Sequence, residues 1–427
     1  MTHAFGLGGM EVGVATSATQ IEGGAAATIW HRWADQPGGG AVDGSSPAVA
    51  CDHWNRVEED TALLASLGIR HYRLGLEWAR IEPRPGEFDH DAIAHYRREL
   101  TGLRAVGITP LVTLHHFNDP IWFSDSGGFL GPEAMHEFTR YVRHAATSLG
   151  DLVNEWITIN EPNVFALTSY FDGSWPPGHR SVTEFLRVQT ALARAHIHAY
   201  IHLHRLVPHA RVGFAQHLRF FDPVNPANPL DRLSAGVTKH LFQDAGTTAS
   251  LAGRFQAPLV RPREIGPGRY ADFLGVNYYS GSLIRGIDYR TAEGVPVNDL
   301  GWEISPQGFE RVLGEYHRRY RLPIYVTENG TADRSDSFRS RYIYDHLRAA
   351  ATSGLPIERY YHWTFIDNWE WAEGQTGRFG VVELDFATQE RTIRESGRFL
   401  ADIVAKRGVT EASYERWVAP QTYPRND

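Results

Sequence analysis

The sequence contains very little cysteine, because Cys51 is the only one among 427 residues. A single cysteine excludes an intrachain disulfide and offers no cysteine cluster for a metal ion. The chain also lacks any run of about 20 apolar residues, the length that a membrane helix needs. The segment Met1–Met10 has neither the basic nor the apolar part of a secretion signal. We therefore expect a cytoplasmic protein with no membrane partner.

Clusters of positive charge are also missing. Lysine and arginine total 42 against 50 aspartates and glutamates, which gives a net charge of −8. An extended nucleic-acid surface requires a cationic patch or stripe. We expect no nucleic-acid partner and a substrate that is not a polyanion.

Aromatic residues are abundant, at 12% of the chain with 12 tryptophans, and many stand beside polar side chains. Flat aromatic faces next to fixed polar groups suit the C–H faces and hydroxyl edges of a sugar. A large core with tryptophans at its boundary explains the same composition equally well.

Short apolar segments alternate with longer amphipathic ones along the whole chain. The predicted strands are Glu11–Ala18, Ile69–Leu76, Ile108–Leu114, Glu155–Asn160, Arg211–Gln216, Phe273–Asn277, Ile324–Glu328 and Tyr360–Phe365. The predicted helices are Trp54–Leu67, Ile93–Val106, Pro132–Ser148, Val182–Leu206, Pro306–Tyr320, Ser340–Thr352 and Ile393–Lys406. Long connections are predicted at Thr28–Asp52, Asp172–Ser181, Asp222–Gly246, Ile284–Trp302 and Glu370–Phe379.

Eight strands that alternate with helices, without a linker between them, predict an α/β fold, a single (β/α)₈ TIM barrel domain over residues 1–427. A doubly wound open sheet is the alternative. No Gly-x-Gly-x-x-Gly motif opens a helix after the first strand, which makes the open sheet the weaker choice.

Polar residues follow the C-terminal ends of most predicted strands, where the loops of a barrel form one cleft. Two of these residues are glutamates, Glu161 after the fourth strand and Glu328 at the end of the seventh. Two carboxyl groups across a cleft are what glycosidic bond cleavage requires, one as proton donor and the other as nucleophile or base. A metal site or an ion pair also remains open for these two residues.

Seven motifs occur in a characteristic order over nearly the whole chain, and together they resemble glycoside hydrolase family 1, the β-glucosidase and β-galactosidase family. The motifs are Ser17–Gly23, Tyr72–Leu74, Thr113–Phe117, Thr158–Pro162, Gly275–Tyr279, Thr327–Gly330 and Trp363–Gly374. The resemblance implies a retaining, double-displacement mechanism with Glu161 as general acid/base and Glu328 as nucleophile. A like charge on Glu328 is expected to raise the pKa of Glu161, so that Glu161 can hold a proton.

The resemblance also assigns supporting roles. Arg73 and Tyr279 are expected to orient the nucleophile. The substrate-binding residues that it implies are Gln20, His116, Asn160, Asn277, Trp363, Glu370, Trp371 and Phe379. His115 and His116 lack a third ligand at metal-binding spacing, so neither a metal nor another cofactor is expected.

The loop after the eighth strand predicts an unphosphorylated sugar. It carries Glu370, and Gly377 stands where the phospho-specific members of the resembled family have a lysine. We thus expect a hydrolase for β-glucosides, with β-galactosides and β-fucosides as further small-molecule substrates. A transglycosidase on the same scaffold and a non-catalytic sugar-binding protein are the alternatives, and the sequence leaves the oligomeric state open.

Overall fold

The computed structural model describes residues 2–36 and 40–426 and contains a closed barrel of eight parallel strands. The barrel strands β1 to β8 are Glu11–Ala15, His71–Gly75, Thr109–His115, Glu155–Asn160, Arg211–His217, Leu274–Tyr278, Ile324–Asn329 and Ile357–Trp363. Each strand pairs with the next, and β8 returns to β1 with Tyr360 opposite Val12. This confirms the predicted (β/α)₈ class.

Helices cover the outside of the barrel. The longer ones, α1 to α10, are His53–Ser66, His90–Ala105, Ala134–Leu149, Val182–Leu206, Pro229–Lys239, Ala245–Ala252, Pro306–Tyr320, Arg339–Thr352, Glu395–Lys406 and Glu411–Trp417. Shorter helical turns in the loops are Ala18–Ile21, Ile29–Ala34, Trp78–Ile81, Ile121–Asp125, Gly128–Leu130, Pro162–Ala166, Leu167–Phe171, His240–Asp244 and Trp371–Glu373. The described helices include none that is long and apolar enough to cross a membrane.

Short strands outside the barrel pair with one another. They are Phe5–Gly6 with Gly408–Val409, Phe221–Pro223 beside the hairpin Ser282–Arg285 and Asp288–Arg290, and Val382–Leu384 with Arg391–Ile393. Of these pairings, only that of Phe221–Pro223 with Ser282–Arg285 is parallel.

The eight predicted strands are all present, and all but Glu155–Asn160 have shifted ends. The first ends at Ala15, because Ala18 begins a helical turn, and the eighth begins at Ile357 and ends at Trp363. The helix predicted from Ile393 begins at Glu395 instead, since Ile393 still pairs with Val382 in a hairpin.

One predicted connection is wrong, because Asp222–Gly246 contains α5 and the start of α6. The caps were visible in the sequence: Asn228 accepts a hydrogen bond from the backbone N–H of Leu230, and Pro229 occupies the first turn. However, Leu230 and Leu233 are 71% and 64% exposed, so the apolar pattern does not mark a buried face. Residues 37–39 of the predicted Thr28–Asp52 connection lie outside the described part of the chain.

Side chains fill the interior of the barrel near its N-terminal end. Phe273 stacks on Tyr325 with ring centroids 4.0 Å apart, and the Tyr325 hydroxyl donates to Glu155 at 2.6 Å. Both rings are fully buried. Because this end is closed, the polar side chains at the opposite ends of the strands line the open cleft.

Candidate active site

Glu328 lies near the C-terminal end of β7, and only 3% of its surface is exposed. Gly330 follows it at a point where a Cβ atom would lie 1.7 Å from the carbonyl oxygen of Trp363. Only a glycine permits this close approach. The ends of β7 and β8 therefore meet, and Glu328 and Trp363 face the same cleft.

Arg73 on β2 connects four strands beneath the cleft. Its Nη1 donates to Oε1 of Glu328 at 2.5 Å and to the carbonyl of Thr327 at 3.0 Å. Its Nη2 donates to Oδ1 of Asn160 at 2.7 Å, and its Nε donates to Thr113 at 3.2 Å. The guanidinium is completely buried and faces Glu328 as its salt-bridge partner.

The second carboxylate oxygen of Glu328 accepts a hydrogen bond from the Tyr279 hydroxyl at 2.6 Å. Burial, followed by the neighbouring Glu161 carboxylate, raises the pKa of Glu328 to about 7, against the opposing effects of Arg73 and Tyr279. The like-charge interaction between the two carboxyls thus acts on the pKa of Glu328.

Glu161 follows β4 in a left-handed backbone conformation, with φ at +39°. Its backbone N–H donates to the carbonyl of Ala215 on β5 at 2.7 Å, and its carbonyl accepts from Val164 and Phe165 in the following helical turn. Non-glycine residues with positive φ are strained and concentrate at functional sites. This left-handed conformation directs the Glu161 carboxyl into the cleft, and Pro162 begins the helical turn that follows.

Asn277 at the end of β6 connects the two glutamates. Its Nδ2 donates to Oε1 of Glu161 at 2.9 Å and to Oδ1 of Asn160 at 3.0 Å. Its Oδ1 accepts from Thr327 at 2.6 Å. Since Asn160 also accepts from Arg73, the chain Glu161, Asn277, Asn160, Arg73, Glu328 is continuously hydrogen-bonded.

His116 follows β3 and lies beside Asn160, with its Nε2 2.9 Å from Nδ2 of Asn160. The amide donates, so this imidazole nitrogen accepts. Burial and the Arg73 guanidinium hold the pKa of His116 well below its usual 6.5. A neutral imidazole with a fixed tautomer suits hydrogen bonding to a hydroxyl better than ion pairing.

Gln20, Trp363 and Glu370 meet at the side of the cleft formed by β1 and β8. The indole N–H of Trp363 donates to Oε1 of Glu370 at 3.1 Å, and Gln20 donates to Oδ1 of Asn368 at 3.0 Å. Burial is the largest cause that raises the pKa of Glu370 to about 8, with Glu328 adding to it and hydrogen bonds from Trp363 and Gln20 opposing it. The charged groups that most affect the pKa of Glu370 are the carboxylates of Glu328 and Asp367, and neither is a cation.

Aromatic rings form the walls. Trp371 lies 5.8 Å from the His116 ring and 4.9 Å from Trp30, measured between centroids. Across the cleft, Phe379 is buried against Tyr279 at 6.2 Å and Trp302 at 5.9 Å. Trp302 is 38% exposed and stands at the mouth. The residues predicted to form the site are thus brought together around one cleft.

The sequence analysis missed His217, the last residue of β5. Its Nδ1 lies 3.1 Å from Oε1 of Glu161, and its ring stacks on Tyr279 with centroids 6.0 Å apart. The rule that located the other site residues, a polar side chain at the C-terminal end of a barrel strand, applies to His217 as well. The predicted fifth strand ended one residue too early for the rule to be used.

The side chains of the two histidines at the end of β3 contact different partners. Nε2 of His115 lies 2.9 Å from Asp119, away from the Asn160 contact that holds His116. Within residues 2–36 and 40–426, no group of three or more His, Cys, Asp or Glu side chains is arranged to hold a metal ion.

The chain is similar to known proteins over nearly its whole length. The sequence matches the model of "Glycosyl hydrolase family 1" over residues 8–409. Beta-glucosidase A of Thermotoga maritima is 32% identical over 93% of this chain and 97% of its own length.

Solved structures agree. A beta-glycosidase from Pyrococcus horikoshii has a TM-score of 0.88 at 32% identity, with 98% of each chain covered. A Thermotoga maritima beta-glucosidase in complex with glucoimidazole has a TM-score of 0.87 at 31% identity, covering 94% of this chain and 99% of that one. The match includes all eight barrel strands and the ends that carry Glu161 and Glu328, and this chain belongs to glycosyl hydrolase family 1.

Proposed function

We propose that the protein is a retaining β-glycosidase that removes β-glucosyl units from the non-reducing end of its substrates, with β-galactosides and β-fucosides as further substrates. The observation that carries the proposal is the environment of Glu328. Both of its oxygens are hydrogen-bonded, one to Arg73 and the other to Tyr279. A buried carboxylate aimed by a cation and a phenol is suited to attack an anomeric carbon.

In the first step, an ionised Glu328 oxygen forms a bond to the anomeric carbon while the bond from that carbon to the leaving oxygen breaks. Glu161 transfers its proton to the leaving oxygen, so that the aglycone departs as a neutral alcohol. Glu328 is then an ester and no longer carries a charge. Loss of that charge favours the ionised form of Glu161.

In the second step, Glu161 takes a proton from a water molecule, whose oxygen attacks the anomeric carbon. The bond to Glu328 breaks and its electron pair returns to the carboxylate. Each step inverts the anomeric centre once, so the released sugar keeps its β configuration. A hydroxyl of a second sugar in place of water would give transglycosylation.

The sugar is proposed to lie between the Trp363 indole and the amides near Arg73. Asn160 and Asn277 offer polar groups beside both glutamates, and Gln20, His116 and Glu370 offer them at the far side. Trp371 and Phe379 form apolar walls. The Thermotoga maritima enzyme is solved with both glucoimidazole and galacto-hydroximolactam, which supports acceptance of both sugars.

The test is Glu328→Ala with added azide. We expect the variant to retain less than about a thousandth of the wild-type rate on aryl β-glucosides, the scale for loss of a covalent catalyst. Azide should restore turnover and yield the α-glycosyl azide, the product of a single inversion. A variant that hydrolyses at more than that rate without azide contradicts the proposal and its nucleophile.

We also propose that residues 1–427 form one catalytic domain that works in the cytoplasm without a nucleic-acid partner. The single buried Cys51 and the net charge of −8 support this setting. Limited proteolysis that releases a stable, folded fragment without activity would contradict the single domain.

A further inference from the structure

The carboxyl of Glu161 is held through only one of its oxygens. Oε1 accepts from Nδ2 of Asn277 at 2.9 Å and lies 3.1 Å from Nδ1 of His217. Among residues 2–36 and 40–426, no group donates to Oε2. The side chain keeps 6% exposure toward the cleft.

Both groups that hold Oε1 are fixed by strand register. His217 ends β5 and pairs directly with Asn277 on β6, so the two side chains project side by side. The carbonyl of His217 also accepts from Asn163, two residues after Glu161, at 2.8 Å. The histidine is therefore tied to the segment that carries the carboxyl it contacts.

The direction of the hydrogen bonds follows from their neighbours. Asn277 must present its amide nitrogen to Glu161, because its oxygen accepts from Thr327 and its nitrogen also faces Oδ1 of Asn160. Within the described part of the chain, Nε2 of His217 is buried without a partner. A proton there would be an unsatisfied donor, which is costly. The imidazole proton is thus placed on Nδ1, which donates it to Oε1 of Glu161.

The ring of His217 has little freedom to leave this position. It stacks on Tyr279, which binds Glu328, and packs edge-on against Phe242 at 5.9 Å. The titratable groups beside the His217 ring are Glu161 and Tyr279. Arg219, two residues later in the chain, is close enough to Glu161 for their charges to interact. Phe242, on the remaining side, is apolar.

We propose that His217 is a positioning residue for Glu161: together with Asn277 it occupies Oε1 and so leaves Oε2 to carry the proton that reaches the leaving oxygen. This inference rests on the proposed acid/base role of Glu161. In the second step the same two donors stabilise the carboxylate while Oε2 accepts the proton of water.

The test compares three substitutions of one residue. His217→Asn places an amide N–H where Nδ1 stands, His217→Gln places it at the more distant Nε2 position, and His217→Phe keeps the stacked ring without a donor. We expect the Phe and Gln variants to lose about 10- to 100-fold in kcat/KM for substrates with poor leaving groups, the range for a hydrogen bond to a charged group. The kcat/KM of the Asn variant for the same substrates should lie within about threefold of the wild-type value.

A purely structural role would not produce two further results. The alkaline limb of the kcat/KM profile should move to higher pH in the Phe variant, because a donor that favours the carboxylate is lost. Glycosylation by dinitrophenyl glucosides, which need no proton, should change little. Equal losses for Asn, Gln and Phe across all leaving groups, with the limb unmoved, would overturn the inference.

Glu161→Gln is measured in parallel. If that variant shows leaving-group dependence and the His217 variants do not, only the inference about His217 fails. If Glu161→Gln itself shows none, the proposed function of Glu161 fails. Circular dichroism and melting temperatures verify that each variant is folded. If the Phe variant does not fold, the predicted near-wild-type kcat/KM of His217→Asn tests the inference by itself.

Discussion

The hydroxyl of Tyr279 lies 2.6 Å from Oε2 of Glu328, and it donates its proton to the carboxylate. This hydrogen bond opposes the burial that raises the pKa of Glu328 to about 7. The proposed nucleophile is ionised above that pH and protonated below it. The acid limb of activity is therefore expected near neutrality.

Replacing Tyr279 by Phe should move that limb to higher pH, because loss of the donor destabilises the ionised form of Glu328. We expect a loss of about 10- to 100-fold in kcat/KM at pH 6 and a smaller one at pH 8. The measurement is kcat/KM for 4-nitrophenyl β-glucoside from pH 5 to 9.

Tyr278→Phe is the matched control for this prediction. The Tyr278 hydroxyl donates to the carbonyl of Ser305 at 2.9 Å, with no carboxylate involved. The control should lose some thermal stability and keep the wild-type profile. A Tyr279→Phe profile that coincides with wild type would show that the phenol does not govern Glu328.

Glu161→Gln should affect substrates according to their leaving groups. Disaccharides need a proton on the departing oxygen, so their kcat/KM should fall by about 100-fold or more, within the range for general acid catalysis. Single-turnover glycosylation by dinitrophenyl glucosides should change by less than about tenfold.

Glu155→Gln is the control on the same strand. Glu155 begins β4 and accepts from Tyr325 and Arg359 at the closed end of the barrel. Residues at that end support stability. Glu155→Gln should have a lower melting temperature, and its kcat/KM should not depend on the leaving group. An equal loss of kcat/KM for all leaving groups in Glu161→Gln would show that Glu161 has only a structural role.

The enzyme should prefer unphosphorylated sugars. The charged groups that most affect the pKa of Glu370 are the carboxylates of Glu328 and Asp367. Arg378 donates hydrogen bonds to Asp367 at 3.4 Å and to the carbonyl of Leu384 at 2.9 Å. A phosphate with nearly two charges would be left unpaired there. We expect kcat/KM for 4-nitrophenyl β-glucoside to exceed that for its 6-phosphate by about 100-fold or more.

Glu370→Gln tests the cause of this preference. At a pH above 8, where Glu370 is ionised, the Gln variant should lose activity on both substrates but discriminate less against the phosphate, because one source of negative potential is removed. Wild-type enzyme that favours the phosphorylated substrate would refute the role of Glu370.

Glu370 should also lower stability as the pH rises above about 4.5. Its pKa is about 8 in the folded protein against an ordinary value of 4.5, so between these values the folded state holds a proton that the unfolded state has released. The free energy of unfolding therefore falls as pH rises from about 4.5 to about 8. Glu370→Gln should be more stable than wild type at pH 8, on the order of 4 kcal/mol, and equal to it near pH 4.

Melting temperatures across this pH range provide the measurement. Glu58→Gln, at an exposed position of α1, is the control and should follow the wild type at every pH. A constant difference between Glu370→Gln and wild type, independent of pH, would exclude a protonation effect.

The sequence by itself determined the barrel and the strand ends that carry the site. Alternating segments and turn residues are local signals, and Glu155–Asn160, Val182–Leu206 and Pro306–Tyr320 were predicted with the observed bounds. Because the C-terminal ends of all eight strands converge, placing Glu161 and Glu328 at such ends was sufficient to place them in one cleft.

Only the tertiary structure decided which oxygen each neighbour holds. Tyr279 and Arg73 take different oxygens of Glu328, whereas His217 and Asn277 share one oxygen of Glu161. These contacts join strands whose residues are up to 255 positions apart, and their geometry depends on barrel register and side-chain rotamers. The raised pKa of Glu328 likewise arises from burial, which is a property of the packed molecule and not of any local stretch of sequence.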